Sequence, residues 1–187
     1  MSQPESPEML SIDELLDEYA LARDHSLALI ADLGVDEVAW RPDENSSSIA
    51  WHLGHQAAVN HYMVRNLTAA EVSFDQRFDA VFDSATPEPA RGDLPPLDAI
   101  VDYRDKIAES TVATVRRIAD GDVGAPRQLA LIADGMLRAI INHEYQHSTW
   151  IEEVRSTMTE SPAPKPESSR LVVVDGYHLL ANPTVTH

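Results

Sequence analysis

Two histidines four positions apart, His143 and His147, carry the clearest chemical signal in the sequence. Residues at i and i+4 lie one turn apart on the same face of an α-helix, so both imidazoles can reach one ion. Imidazole is a common ligand of zinc, nickel and iron(II). The alternative is a pair of core histidines with separate hydrogen-bond partners, which is costly to satisfy in an apolar stripe. The spacing therefore predicts two ligands of one divalent metal ion.

A stable site needs a third ligand, and four upstream histidines are candidates. His55 lies on the apolar face of the second predicted helix, which makes it the best candidate. His52, three residues earlier, lies near the edge of that face and is the second choice. We expect His25 and His61 to lie at the surface. The apolar face is defined by Trp51, Ala58, Val59 and Tyr62, of which Tyr62 suits a pocket wall and the core equally well.

Glu144 follows His143 directly and is the candidate catalytic residue. Its side chain projects about 100° around the helix from that of His143. From there it can orient a ligand or accept a proton. A solvated or capping carboxylate is the alternative interpretation.

The run His143-Glu144-x-x-His147 also matches the HExxH signature of zinc peptidases. One family of these enzymes needs a histidine six residues after the second one, and position 153 is Glu. Another needs a glutamate on a later helix, but Glu167 lies in a Pro-rich stretch that cannot form one. The sequence therefore disfavours a peptidase.

Hydrophobic periodicity and capping residues predict the helices that position these side chains. Ser11 with Glu14 forms a capping box, and Gly34 is a C-terminal stop. Ser46 to Ser48 offer an N-cap for the second helix, and Asp134 caps the fourth. The predicted helices run from about 12 to 33, from the serines to about 67 or 70, from 97 to 120, and from 135 to 158.

These elements predict an all-α protein, a four-helix bundle with a long connection at 71–96 between helices two and three. Residues 126–133 are expected to be extended or irregular. The predicted organisation is a leader at 1–10, the bundle at 11–158, and a Pro-rich linker and C-terminal tail at 159–187. Leu171 to Val174, Asp175-Gly176 and Tyr177 to Leu180 predict a short hairpin in that tail.

Composition limits the classes of function. The formal net charge is −17, from 31 acidic and 14 basic residues, which disfavours binding to nucleic acid or to anionic membranes. The N-terminus has no signal-peptide pattern, and no apolar run reaches the roughly 20 residues that span a bilayer. We therefore expect a cytoplasmic protein, and the bundle is compatible with a homodimer. There is no cysteine, so any reacting thiol must arrive as a substrate.

The segment Ser47 to His55, with its Trp51-His52-Leu53-Gly54-His55 core, and the later run His143 to His147 together resemble the DinB-like superfamily. They are especially similar to the N-terminal DinB-type domain of ergothioneine-forming sulfoxide synthases. The resemblance covers roughly residues 11–158. It implies a four-helix bundle with a metal held by His55, His143 and His147. Position 52 is not a ligand in the family pattern, which implies that His52 either supports a ligand or is incidental.

The sulfoxide synthases need a further C-terminal catalytic domain, whereas only about thirty residues follow the fourth predicted helix here. Other superfamily members resemble transferases and isomerases that use low-molecular-weight thiols. The resemblance therefore implies a metal-dependent enzyme that activates a small exogenous thiol or water, with transfer, isomerisation or hydrolysis as the reaction. The alternative is a non-catalytic bundle whose ion is structural or sensory.

Overall fold

The structure is a computed structural model that describes residues 10–68, 72–83, 93–122, 129 and 132–181. Within these ranges the chain forms six α-helices and one antiparallel pair of strands, so the predicted all-α class is confirmed. The helices are α1 (Ile12–Ala28), α2 (Val35–Ala39), α3 (Ile49–Thr68), α4 (Gln76–Val81), α5 (Leu97–Ala119) and α6 (Ala133–Ser156), and the strands are β1 (Leu171–Val174) and β2 (Tyr177–Leu180).

The four long helices α1, α3, α5 and α6 form the bundle. The largest contacts are between α3 and α5, α1 and α6, and α3 and α6. The predicted capping box at Ser11 and Glu14 is present at the start of α1. Ser48 accepts a hydrogen bond from the Trp51 N–H at 3.1 Å at the start of α3. The direct packing of α3 on α6 brings the two histidine-bearing helices together.

The first predicted helix is too long, and Gly34 has a different role from the one expected. The helix ends at Ala28, and Gly34 is the N-cap of α2 rather than a C-terminal stop. The Gly34 N–H donates to the Glu37 carboxylate at 2.6 Å. Val38 is almost completely buried, so packing against the bundle stabilises a helix too short to be stable alone.

The predicted connection at 71–96 contains the helix α4, which corrects the expectation that no element lies there. The Asp75 side chain caps α4 by accepting hydrogen bonds from the N–H groups of Arg77 and Phe78. Phe82, which follows α4, is fully buried. Its ring lies against Gly54 of α3, where a Cβ atom would overlap the ring. A glycine at position 54 therefore allows Phe82 to anchor α4 to α3.

The fourth long helix begins at Ala133, with Ile132 at the N-cap. Asp134 is therefore in the first turn and is not the cap, and its carboxylate accepts a hydrogen bond from Arg138 at 3.0 Å. The end of α5 at Asp120 and Gly121 agrees with the prediction. Parts of the predicted leader, connection, irregular segment and tail, at 1–9, 69–71, 84–92, 126–128, 130–131 and 182–187, lie outside the described residues.

The predicted hairpin is confirmed with its predicted turn, and Leu171 pairs with Leu180 and Val174 with Tyr177. Asp175 and Gly176 both have positive φ, as a two-residue hairpin turn of this kind requires. The hairpin packs on α6, where the Leu180 N–H donates to the Asn142 side chain at 2.7 Å. The hairpin thus contacts α6 at the residue that immediately precedes His143. No helix in the described part of the chain is long and apolar enough to cross a membrane.

Candidate metal centre

The fold brings together the three histidines named in the sequence analysis. His55 of α3 and His143 and His147 of α6 each offer one ligand atom, and these atoms lie within 4.8 Å of one another. The ring centroids are 5.3 Å apart for His55 and His143, 4.7 Å for His55 and His147, and 4.4 Å for His143 and His147. These three residues are called the triad below.

The donor set of the triad fits a divalent ion. Zinc–nitrogen bonds are about 2.0–2.1 Å long, so nitrogens at the observed separations can close on one ion with small shifts of the side chains. His55 and His147 are buried and His143 is half-buried. Buried polar groups need partners. One ion would serve as the shared partner of all three imidazoles. The triad could therefore hold a metal ion.

The ring of His55 is held from two sides. Its Nδ1–H donates to the backbone carbonyl of Phe82 at 2.6 Å, and the Trp51 ring stacks on it at 4.4 Å with an interplanar angle of 13°. A hydrogen bond from Nδ1 selects the tautomer whose Nε2 carries the lone pair. Metal-binding histidines usually donate their second ring N–H in this way.

The ring of His147 contacts aromatic residues on both histidine-bearing helices. Its Nδ1 lies 2.9 Å from Nδ1 of His52. The Trp150 ring meets it edge-on at 4.6 Å. His52 itself is buried. The residue that the family pattern excludes as a ligand is thus in direct contact with one of the triad.

The surroundings of His52, His143 and His147 keep these three rings neutral. Burial, followed by the proximity of His55, lowers the pKa of His52 and of His143 to about 4. Burial, followed by the proximity of His143, also lowers the pKa of His147 well below its ordinary value. Neutral imidazole is the form that binds metal. His143 and His147 are therefore ready to bind an ion at pH 7 without loss of protons.

The lowered pKa values predict how the stability of the metal-free protein depends on pH. Unfolded histidines take up protons below their ordinary pKa of 6.5, whereas folded His52 and His143 resist protonation down to about pH 4. The free energy of unfolding is therefore expected to fall as the pH drops from about 6.5 to about 4. Urea denaturation of the metal-free protein at several pH values measures this change. A His143→Leu variant should lose less stability over the same pH range. An equal loss in the variant and in the wild-type protein would contradict the lowered pKa of His143 as a cause of the pH dependence.

Glu144 is buried and ion-paired, so neither a solvated nor a capping carboxylate describes it. Its Oε2 accepts from Arg104 of α5 at 3.1 Å, and its backbone carbonyl accepts from Gln56 of α3 at 2.8 Å. Arg104 thus binds the carboxylate that a peptidase would use to activate water. The catalytic role of Glu144 remains a prediction.

The expectation that His25 and His61 lie at the surface is wrong. They are only 5% and 2% exposed. His25 lies 3.2 Å from the Glu152 carboxylate, and Nε2 of His61 accepts from the Phe74 N–H at 3.3 Å. Each has its own polar partner outside the triad.

An open cleft of about 780 Å³ reaches the triad at His55. Tyr62 is 66% exposed and lines this cleft, so it belongs to a pocket wall rather than to the core. The other lining residues come from α3, from α4 and from the residues beside α4: Ala58, Val59, Met63, Arg65, Ser73, Gln76, Asp79, Ala80, Phe82 and Asp83.

Sequence reasoning missed three contributors to the site. These are the Phe82 carbonyl, the contact of His52 with His147, and Arg104 beside Glu144. The position of the Phe82 carbonyl could have been anticipated from Asp75, because an N-cap residue before two phenylalanines predicts a short helix. The other two involve partners that are far apart along the chain, and no local pattern reveals them.

The fold and the triad together define a class of protein, a helical bundle whose third and sixth helices could hold a metal ion between them. The family model of the DinB superfamily matches residues 7–151. The chain therefore belongs to the DinB superfamily, as its histidine motifs suggested. A search of the curated proteins finds no match for the chain.

Proposed function

We propose that the protein is a metal-dependent enzyme that activates a small thiol or water at the triad. One observation supports this proposal most directly: His55 belongs to the triad and also lines the open cleft. The cleft lining includes neither His143 nor His147, so in this proposal a molecule in the cleft approaches the ion from the side of His55. Zinc, nickel and iron(II) all suit three imidazole ligands.

A divalent ion with three neutral ligands would retain its charge and lower the pKa of a thiol or water in an open coordination position. The thiolate is the reactive form of a thiol. Because the chain has no cysteine, the thiol in this proposal is a cosubstrate of low molecular weight. Its transfer to an electrophile, a related isomerisation, or hydrolysis by water are the reactions that fit.

The residues of the cleft have both apolar and charged groups to offer a substrate. Val59 lies one turn after His55 on α3, and Met63 lies one turn further on. Asp79 of α4 accepts hydrogen bonds from Arg65 at 3.2 Å, from Ser73 at 2.6 Å and from the Tyr103 hydroxyl at 3.0 Å. The bonds from Arg65 and Tyr103 hold α4 against α3 and α5, and all three keep the wall of the cleft in place.

An open coordination position distinguishes this enzyme from a bundle with a structural or sensory ion. Among the described residues, only the triad brings three histidine or carboxylate ligand atoms this close together, and it contains no carboxylate. The nearest carboxylate in sequence, Glu144, is paired with Arg104. These features support the catalytic alternative. A homodimer remains a proposal.

The proposed activity is tested with protein that has been stripped of metal and reloaded with zinc, nickel or iron(II). Low-molecular-weight thiols are offered with a chromogenic aryl halide, and a chromogenic ester is offered with water alone. We expect turnover in at least one assay that depends on the loaded metal. A Val59→Trp change, which fills the cleft beside His55, should reduce turnover strongly while metal content stays unchanged.

The matched control is Val35→Trp, which adds the same side chain at an exposed site outside this cleft. It should keep full turnover. Metal binding without turnover in either assay would contradict the enzyme and favour the structural or sensory ion. Equal activity of the Val59→Trp and wild-type proteins would show that the substrate does not use this cleft.

A further inference from the structure

His52 is buried next to the triad in a setting that fixes its ring. It contacts two indoles: its ring centroid lies 5.4 Å from that of Trp51, in an edge-on arrangement, and 5.8 Å from that of Trp150, in a tilted one. Its Nδ1 lies at hydrogen-bond distance, 2.9 Å, from Nδ1 of His147. Two neutral imidazoles can share such a contact only if one nitrogen donates a proton and the other accepts it.

We propose that His52 is a positioning residue of the metal centre, whose Nδ1 accepts the Nδ1–H of His147. This hydrogen bond holds His147 in the tautomer that carries its lone pair on Nε2, the nitrogen that then binds the ion. It also fixes the rotation of the His147 ring. The inference rests on the proposed metal site and adds a role for a residue outside the triad.

A hydrogen bond of the same kind holds the ring of His55, the member of the triad on α3. His55 donates from Nδ1 to the Phe82 carbonyl at 2.6 Å, and His147 donates from Nδ1 to His52. Both buried histidines of the triad therefore have a fixed acceptor opposite the nitrogen that binds metal. Acceptors in this position orient metal-binding histidines, and their removal typically weakens metal affinity by about 10- to 100-fold.

Direct coordination by His52 is the competing explanation, because two nitrogens 2.9 Å apart can also bind one ion. The triad already offers three ligand atoms within 4.8 Å of one another. His52 contacts two indole rings, and its Nδ1 faces one member of the triad. A hydrogen bond needs only an acceptor at this place, whereas replacement of a coordinating imidazole would change the ligand set and with it the coordination geometry.

Three substitutions at position 52 separate these explanations. Asparagine places an amide oxygen near the position of the histidine Nδ1, so His52→Asn keeps an acceptor for His147. Leucine has nearly the same size and shape as asparagine but no polar atom. Glutamine places its amide one bond further out, closer to the position of Nε2. His147→Ala is the reference for the loss of a ligand.

The measurements are zinc affinity in a competition assay and the visible absorption spectrum of the cobalt(II)-loaded protein, which reports coordination geometry. We expect His52→Leu and His52→Gln to bind zinc about 10- to 100-fold more weakly than wild type, and we expect His52→Asn to retain most of the affinity and the wild-type cobalt spectrum. Circular dichroism and thermal unfolding of the metal-free variants establish whether each one folds. If His52→Leu fails to fold, the comparison of asparagine with glutamine still decides.

Equal zinc affinity of all three variants and wild type would overturn the inference. Loss of metal from His52→Asn to the extent seen in His147→Ala, with a changed cobalt spectrum, would also overturn it and make His52 a ligand. Failure of the wild-type protein to bind metal would instead remove the proposed site. The two failures are therefore distinguishable in the same set of measurements.

Discussion

Saturating divalent metal is expected to raise the melting temperature of the wild-type protein, and the double variant His143→Ala with His147→Ala is expected to lose this rise. An ion that binds only the folded state stabilises it by about 4 kcal/mol at roughly 1,000 times the dissociation constant, which is roughly 8–16 °C for a chain of this size. The effect is large because folding alone brings His55 to the two histidines of α6. Thermal unfolding with and without zinc measures the rise.

The single variant His55→Ala should lose most of the same rise, because it removes the only ligand from α3. His178→Ala is the matched control, since this histidine lies in β2 and outside the triad. It should behave like wild type, with one ion per chain by elemental analysis. Equal metal content in the wild-type protein and in the double variant would refute the site.

The second large effect is expected for Arg104→Met, which should lower the free energy of unfolding by about 3–5 kcal/mol. Arg104 and Glu144 are among the most buried side chains of the protein. Arg104 also donates to the Leu53 carbonyl at 2.6 Å and to the Gln56 side chain at 2.7 Å. Methionine fills a similar volume but leaves the Glu144 carboxylate buried without its charged partner. Urea or thermal denaturation of the metal-free protein measures the loss.

Adding Glu144→Gln to Arg104→Met should recover part of this stability, because it removes the unpaired buried charge. Lys106→Met is the control on the same helix, since it breaks the exposed pair with Asp102 and should change stability little. Wild-type stability of Arg104→Met would show that the pair does not stabilise the fold. Glu144→Gln alone also tests the predicted catalytic role: a full loss of turnover with metal bound and little loss of stability would support it.

The sequence predicted well whatever depends on near neighbours along the chain. The i, i+4 spacing of His143 and His147 is set by helix geometry, and the Asp175-Gly176 turn is set by local backbone preference. Helix starts at Ser11 and Ser48 follow from side chains that cap nearby N–H groups. His55 could be chosen because the apolar face of one helix identifies the side that packs inward.

Short helices escaped prediction because their stability comes from packing. The segment at Val35–Ala39 depends on the burial of Val38, and the segment at Gln76–Val81 depends on Phe82 and the space above Gly54. Gly34 was assigned to the wrong end of a helix, and Asp134 to the wrong position at a helix start, for a related reason. Their residue types suit more than one position at a helix end, and the surrounding packing selects among them.

The sequence by itself determined that the protein is an all-α bundle with His143 and His147 on one helical face and His55 on another. Only the tertiary structure decided the partners of the polar groups around them. It paired Glu144 with Arg104, placed His52 against His147, and buried His25 and His61. The physical reason is that the helical period specifies the direction in which each side chain leaves the axis of its helix. Which group it meets depends on how distant segments pack, and local sequence carries no record of that.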